Sequence, residues 1–259
     1  MTKICLVNDD GPLSVGFQRL SEAISKSYEL AIVVPDGQRS ATGKSLTLNE
    51  PLRIHEIEHN VAREFYTHSG TPADSVIVAH SLIKNIDLIV SGINPGGNLG
   101  YQSMMTSGTI GATLEAAFIG YPALAVSEVV VPEEWFSLMN NDRDYSLLCK
   151  RVLEIIEIIL KNGLPSGIDA ISMNFPRVLR DDSSFIVTKP TRLRMRNSIE
   201  SRMDPNNSPY YWIKGDQTEP SRGSDAYEVL TDGNISLSPI IIESIRDDDI
   251  EKLREFMQF

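Results

Sequence analysis

Cysteine is scarce: Cys5 and Cys149 are the only two, far apart and without CxxC spacing. A disulfide framework and a thiolate zinc site are both excluded, and the two read as reduced, buried packing residues. Long hydrophobic runs are also missing. No apolar stretch approaches the roughly 18 to 20 residues needed to cross a bilayer, and "MTKICLVNDDG" meets charge after a few apolar positions. The expectation is a soluble, cytoplasmic protein with no membrane partner. Positive charge is in deficit, since 24 Lys and Arg against 35 Asp and Glu leave a formal net charge of -11. That argues against a nucleic-acid polymer as partner, because phosphate-backbone affinity comes from clustered cations. The one basic stretch, "TRLRMRN" with Arg192, Arg194 and Arg196, reads as a solvated strand or loop. Any attraction for an anionic substrate must then be local: a bound cation, helix N-termini and one or two basic residues.

What is present is enough apolar material for a full core: 259 residues, 41% of them hydrophobic. Strand-like runs "KICLV", "LAIVV", "IDLIVSG", "PALAVSEVV" and "AISMNF" alternate with helical patterns around "GFQRLSEAISKS", "PADSVIVAHSLIK", "GTIGATLEAAFIG" and "YSLLCKRVLEIIEIILKNG". Short β-branched runs separated by amphipathic segments imply βαβ units. The predicted fold is α/β, a Rossmann-like, mostly parallel sheet with helices on both faces, over residues 1–185. Residues 186–259 read as a C-terminal extension serving oligomerisation. In it "YEVL" and "ISLSPI" form a β-hairpin around Asp232-Gly233, and "DDDIEKLREFM" forms a terminal helix with acidic residues at its positive end. Its aromatics, Tyr210, Tyr211, Trp212, Phe256 and Phe259, would pack on their own domain or on a neighbouring subunit. No internal repeat and no low-complexity tract interrupts the chain.

Ligands of open parallel sheets collect outside the carboxyl ends of the strands. Three polar loops fall there: "NDDG", "PDGQRSATGKS" and "SGINPGGNLGYQSMMTSGT". The first ends a strand on two adjacent carboxylates, Asp9 and Asp10, each raising the cost of ionising the other. A divalent cation would stabilise both ionised, and carboxylates with hydroxyl and amide oxygens suit Mg2+ or Mn2+ better than zinc. The alternative is that Asp9 caps the next helix and Asp10 faces water. "SGT", Ser107 to Thr109, precedes a helical pattern, so its groups either cap that helix or hold a phosphate.

Three look-alikes fail. "GQRSATGKS" has five residues between Gly37 and Gly43 where a P-loop has four, and a strand-like "LTL" follows instead of a helix. "HEIEH", residues 55 to 59, sits in an alternating strand pattern, where residues four apart do not chelate one ion. "GGNLG" lacks the first glycine of a dinucleotide fingerprint.

"CLVNDDG", "VVPDGQRSATGKSLTL", "GTPADSV", "DLIVSGINPGGNLG", "SGTIGATLEAA" and "YPALAVS" occur in an order and spacing that closely resemble the SurE family of metal-dependent nucleotidases, the survival protein E family. "ISMNFP" and "GSDAYEVLTDGNISLSPI" extend the likeness. The resemblance implies one divalent ion per subunit, Mg2+ or Mn2+, held by Asp9, Asp10, Ser40 and Asn94. It selects Ser40 over Thr42 or Ser45, and Asn94 over Asn98. It implies a 5'-nucleotidase, an acid-phosphatase-like phosphomonoesterase acting on nucleoside 5'- and 3'-monophosphates and on short polyphosphate. A homodimer or homotetramer with an exchanged C-terminal segment is implied as well. Residues 195 to 209, "MRNSIESRMDPNNSP", align with none of these motifs.

On this reading Asp9 and Asp10 are catalytic. Asn8, Asn98 and the Ser107, Gly108 and Thr109 turn hold the phosphoryl oxygens as charge redistributes. Lys44 or Arg39 either adds positive charge or is simply solvated. No histidine lies in the three loops, so one carboxylate of the pair takes the water's proton, with a covalent aspartyl-phosphate as the competing route. A non-catalytic Mg-binding regulatory domain of the receiver type needs a phosphoacceptor Asp on a later strand, which "VSGIN" and "VSEV" do not supply. A nucleotide-binding phosphotransferase is the remaining alternative.

Overall fold

A computed structural model of the chain describes residues 2–131, 143–192 and 195–258. Arg194 of the basic stretch and Phe259 of the aromatic set lie outside the described residues. Nine strands form one sheet in the order β3-β4-β2-β1-β5-β6-β7-β11-β8. They are β1 Lys3–Val7, β2 Glu29–Pro35, β3 Ile54–Glu56, β4 Glu64–His68, β5 Leu88–Pro95, β6 Ala123–Glu128, β7 Ala170–Phe175, β8 Phe185–Val187 and β11 Ile235–Ile240. The six central strands, β4 through β7 in that order, run parallel. β3 pairs antiparallel with β4, and β11 antiparallel with β7.

Successive strand residues point to opposite faces, so the apolar runs are buried on both sides. Ile4, Leu6, Ile32, Val34, Leu88 and Val90 meet helices α1 (Val15–Ser25) and α5 (Ser146–Asn162). Cys5, Val7, Ala31, Val33, Ile89 and Ala123 meet α2 (Pro72–Leu82) and α4 (Gly108–Ile119). Both cysteines are free and buried, as read from their isolation. The second face is lined by smaller side chains, and Ala79, Ala112 and Ala116 pack on it. The chain leaves β1 for β2 on one side and returns to β5 on the other. The crevice where crossovers diverge therefore opens at the carboxyl ends of β1 and β5.

The expected hairpin exists, at a different place. β9 (Met195–Met203) and β10 (Pro209–Gln217) form it, from the segment whose motifs could not be aligned. "YEVL" is helical instead: α6 (Asp225–Tyr227) runs into a π-helical turn, Glu228–Asp232, ended by Gly233 at φ +72°. "ISLSPI" is β11, a strand of the main sheet, with Ile235 in its core. Ser224 caps α6, and Asp225 accepts from the Gly100 and Thr191 N–H groups, which fixes this segment as helix before β11 begins. α7 (Asp247–Met257) is the terminal helix, with Asp247, Asp248 and Asp249 in its first turn. A short helix, α3 (Gly100–Thr106), occupies part of the stretch that reads as glycine-rich loop, and β4 falls in a segment with no strand reading.

Candidate active site

β1 ends in a tight turn braced by its own asparagine. Asn8 donates from Nδ2 to the Gly11 carbonyl at 2.7 Å and accepts from the Gly11 N–H at 3.0 Å. Gly11 has φ +80°, and a Cβ there would lie 3.2 Å from Gly37 Cα, so the turn is pressed against the loop after β2. This brace holds Asp9 and Asp10 almost wholly out of solvent, at 4% and 7% exposure. The solvated alternative for Asp10 is thereby overturned, and Ser14, not Asp9, occupies the cap of α1.

The two carboxylates differ in how they are satisfied. Asp9 Oδ1 accepts from Thr109 Oγ1 at 2.8 Å, and the Thr109 backbone N–H also stabilises its charge. It thus lies at the positive end of α4, where a carboxylate is favoured. Asp10 Oδ1 receives only a 3.4 Å contact from Gln38 Nε2, and Oδ2 is buried with no hydrogen-bond partner among the described residues. Burial pushes both carboxyls above the ordinary carboxylate range, and the charge of Asp9 raises Asp10 further.

The loop after β2 is pinned at two points. The Arg39 N–H donates to the Asp9 carbonyl at 2.6 Å and the Gly43 N–H to the Thr106 carbonyl at 2.9 Å. Exposed Ser40 is carried between these anchors. Gly111 makes the second anchor possible, since a Cβ there would sit 2.1 Å from the Gly43 carbonyl oxygen. The cations of this loop are occupied elsewhere. Arg39 bonds Asp36 and the carbonyls of Ser69 and Gly70, while Lys44 pairs with Glu115 over the Phe118 ring.

Asn94 follows the last core residues of β5 and donates from Nδ2 to the Gly96 carbonyl at 2.6 Å. That contact identifies the other amide atom as the oxygen facing away from Gly96. Asn98 donates from its side chain to Ser127 Oγ at 2.8 Å, and its N–H donates to Asn174 Oδ1 at 2.8 Å. Asn8 and Asn98 thus each use one amide hydrogen in fixing the loops and keep a second. At the head of α4, Ser107 Oγ accepts from the Ile110 N–H, so this serine caps the helix and still has a hydroxyl hydrogen to donate.

The sequence-predicted residues therefore gather from three loops at one sheet edge. Gln38 escaped prediction, having no signal beyond its place in the loop, and the Thr109 contact to Asp9 spans 100 positions. The look-alikes fall away. His55, in β3, and His59 are exposed, no helix follows the "GKS" of the loop after β2, and among the described residues no group of three or more His, Cys, Asp or Glu could hold a metal. Buried His68 instead has a packing role. Its Nδ1 accepts from the Gly70 N–H at 3.1 Å, which puts the proton on Nε2, 2.7 Å from Ser75 Oγ; burial lowers its pKa to about 4.

A buried carboxylate pair beside a helix N-terminus, at the switch point of a mostly parallel sheet with helices on both faces, defines an α/β protein with its candidate site at the carboxyl ends of β1 and β5. Residues 4–198 match the family model "Survival protein SurE", and the chain belongs to that family. It is 40% identical over 243 residues to the 5'-nucleotidase SurE of Archaeoglobus fulgidus, spanning 93% of this chain and 92% of that protein. The corresponding protein of Thermofilum pendens is 37% identical over 245 residues, spanning 94% and 92%. The crystal structure of the SurE protein from Aquifex aeolicus superposes with a TM-score of 0.81 at 28% identity, covering 98% of this chain and 99% of that one.

Proposed function

We propose that the protein is a divalent-metal-dependent phosphomonoesterase that releases phosphate from nucleoside 5'-monophosphates, with 3'-monophosphates and short polyphosphate as further substrates. The observation that carries this reading is the buried Oδ2 of Asp10, which has no hydrogen-bond partner among the described residues, beside the likewise buried Asp9. An ionised oxygen shut away without a donor is costly, and a cation is the partner that chemistry supplies. Asp9, Asp10, Ser40 and Asn94 form an all-oxygen donor set that fits Mg2+ or Mn2+, one per subunit. When bound, the ion supplies Lewis acidity toward a phosphoryl oxygen and lowers the pKa of an attacking water.

The chain's own residues do the rest. The Thr109 donors favour the charged form of Asp9 against the effect of burial and fix its orientation. Asp10 lacks such donors, so its carboxylate is the one that accepts the water's proton. The Gly108 N–H, the Ser107 hydroxyl and the second amide hydrogens of Asn8 and Asn98 orient the phosphoryl group. The division into a core of residues 1–185 and a C-terminal segment, residues 186–259, which adds β11 to the main sheet and carries the hairpin and α7 for oligomerisation, belongs to the same proposal, as do a homodimer or homotetramer with segment exchange and residence in the cytoplasm. Among the described residues no helix is long and apolar enough to cross a membrane. Phosphate release from a panel of 5'- and 3'-nucleotides with Mg2+, Mn2+ or EDTA, beside Asp9→Asn, tests it. Release that needs the metal and vanishes in the variant is expected; release unchanged by EDTA would overturn it.

A further inference from the structure

Beside the catalytic edge lies an open cavity of about 770 Å³ whose charge runs against that of the molecule. Its walls come from α3, through Tyr101 and Met105, from residues 189–192 and from the turn at 221–224. Lys189, Arg192 and Arg222 line it, all three exposed, and none forms an ion pair with the described residues. In a chain of formal net charge -11, three unpaired cations around one hollow set a local positive potential. Arg192 belongs to the basic stretch that the sequence leaves without a role.

The hollow is built from fixed parts. Asp225, 1% exposed, accepts from the Gly100 N–H at 2.7 Å and the Thr191 N–H at 2.8 Å, and so bolts α3 to the 189–192 segment. The Tyr101 N–H donates to the Thr191 carbonyl at 3.0 Å, a second bolt between the same walls. Position relative to the chemistry follows from the chain itself. Met105 lines the cavity and lies two residues before Ser107, which caps α4 beside Asp9. All of α3 is only about 10 Å long at the usual helical rise. A ligand held at Ser107 therefore reaches the cavity within the dimensions of one nucleotide.

We infer that this cavity binds a second anionic group of the ligand, remote from the phosphate at the Asp pair, so that nucleotides carrying two separated phosphates are held better than monophosphates. Tyr101, 41% exposed, offers a ring face for an adjoining sugar or base. The inference rests on the proposed function for the nucleotide nature of the ligand and for the phosphate position beside the Asp pair.

Binding without turnover tests it. Full-length protein in EDTA is titrated calorimetrically with adenosine 3',5'-bisphosphate and, separately, with adenosine 5'-monophosphate. The variants are Lys189→Ala/Arg222→Ala and, as a control on a distant exposed lysine, Lys161→Ala; melting curves check that each is folded. The expected result is a clear preference for the bisphosphate, weakened by about tenfold or more in the double variant, as befits loss of two charge-assisted contacts, and unchanged in the control. Equal binding of the two ligands, or a double variant that binds like wild type, overturns the cavity assignment. Because no metal or hydrolysis is involved, failure of the nucleotidase reading shows separately, as absent phosphate release with the metal restored.

Discussion

The candidate active-site edge and the C-terminal hairpin are opposite solutions to the same problem of where polar and apolar groups go. At the edge, charged Asp9 and Asp10 are buried and the turn around them is tied down by Asn8, Thr109 and the Arg39 N–H. On the hairpin and α7, apolar side chains stand in the open: Ile213 is 81% exposed, Phe256 80%, and Ile199, Tyr211, Trp212 and Leu253 are exposed with them. Burying a charge costs more than any local contact returns unless a counter-charge arrives, and exposing that much apolar surface is uncommon without something to cover it. Under the proposed function the first region takes a cation and the second a protein surface. On that proposal the two regions call for partners of different chemistry.

Substitutions can break the contrast at its strong end. Asp9→Asn keeps the Thr109 contact yet removes a formal charge, and phosphate release should fall by about a thousandfold or more with little change in melting temperature, as for loss of electrostatic stabilisation at a reacting centre. Gly111→Ala should cost on the order of 3 kcal/mol in denaturant unfolding, because its Cβ would drive the Gly43 carbonyl, 2.1 Å away, and with it the Ser40 loop, off α4. Thr109→Val removes a hydroxyl that orients Asp9, and Mn2+ affinity should drop by about 10- to 100-fold while Thr109→Ser retains it.

The remaining tests sharpen the comparison away from the metal. His68 has a pKa lowered to about 4 by burial, against 6.5 for an ordinary histidine. The unfolded chain therefore takes up a proton first, so the stabilising effect is complete above about pH 6.5 and declines as pH falls toward 4. Unfolding free energy measured across that window should show a smaller decline in His68→Gln. Ile213→Ser should change the unfolding free energy of the monomer by less than about 0.5 kcal/mol, since the side chain touches little in its own chain. Its effect should show instead in sedimentation, as a shift toward smaller species.

How far the sequence discloses each region follows the same line. The edge was legible because β1, β2 and β5 are dense apolar runs that end on polar loops, and parallel sheets collect such ends in one place. The family resemblance then picked Ser40 and Asn94 out of loops that hold several candidates. The Gly43 to Gly111 contact was not legible, since a close approach of two backbones leaves no side-chain pattern. β9 and β10 escaped because "MRNSIESRM" shows no alternation of polar and apolar residues when both faces are open. β11 was misplaced for a different reason: its partners, β7 and β8, lie far away in the chain, and the nearby Asp232-Gly233 pair resembles a turn.

The most direct test of the central claim, that the buried Asp pair is an anionic socket for a divalent cation, is a thermal melt of wild type and Asp10→Asn with EDTA and with Mn2+. Mn2+ should raise the wild-type melting temperature, while the variant should melt higher than wild type in EDTA and gain little from Mn2+. A variant that melts lower than wild type in EDTA and responds fully to Mn2+ would contradict it.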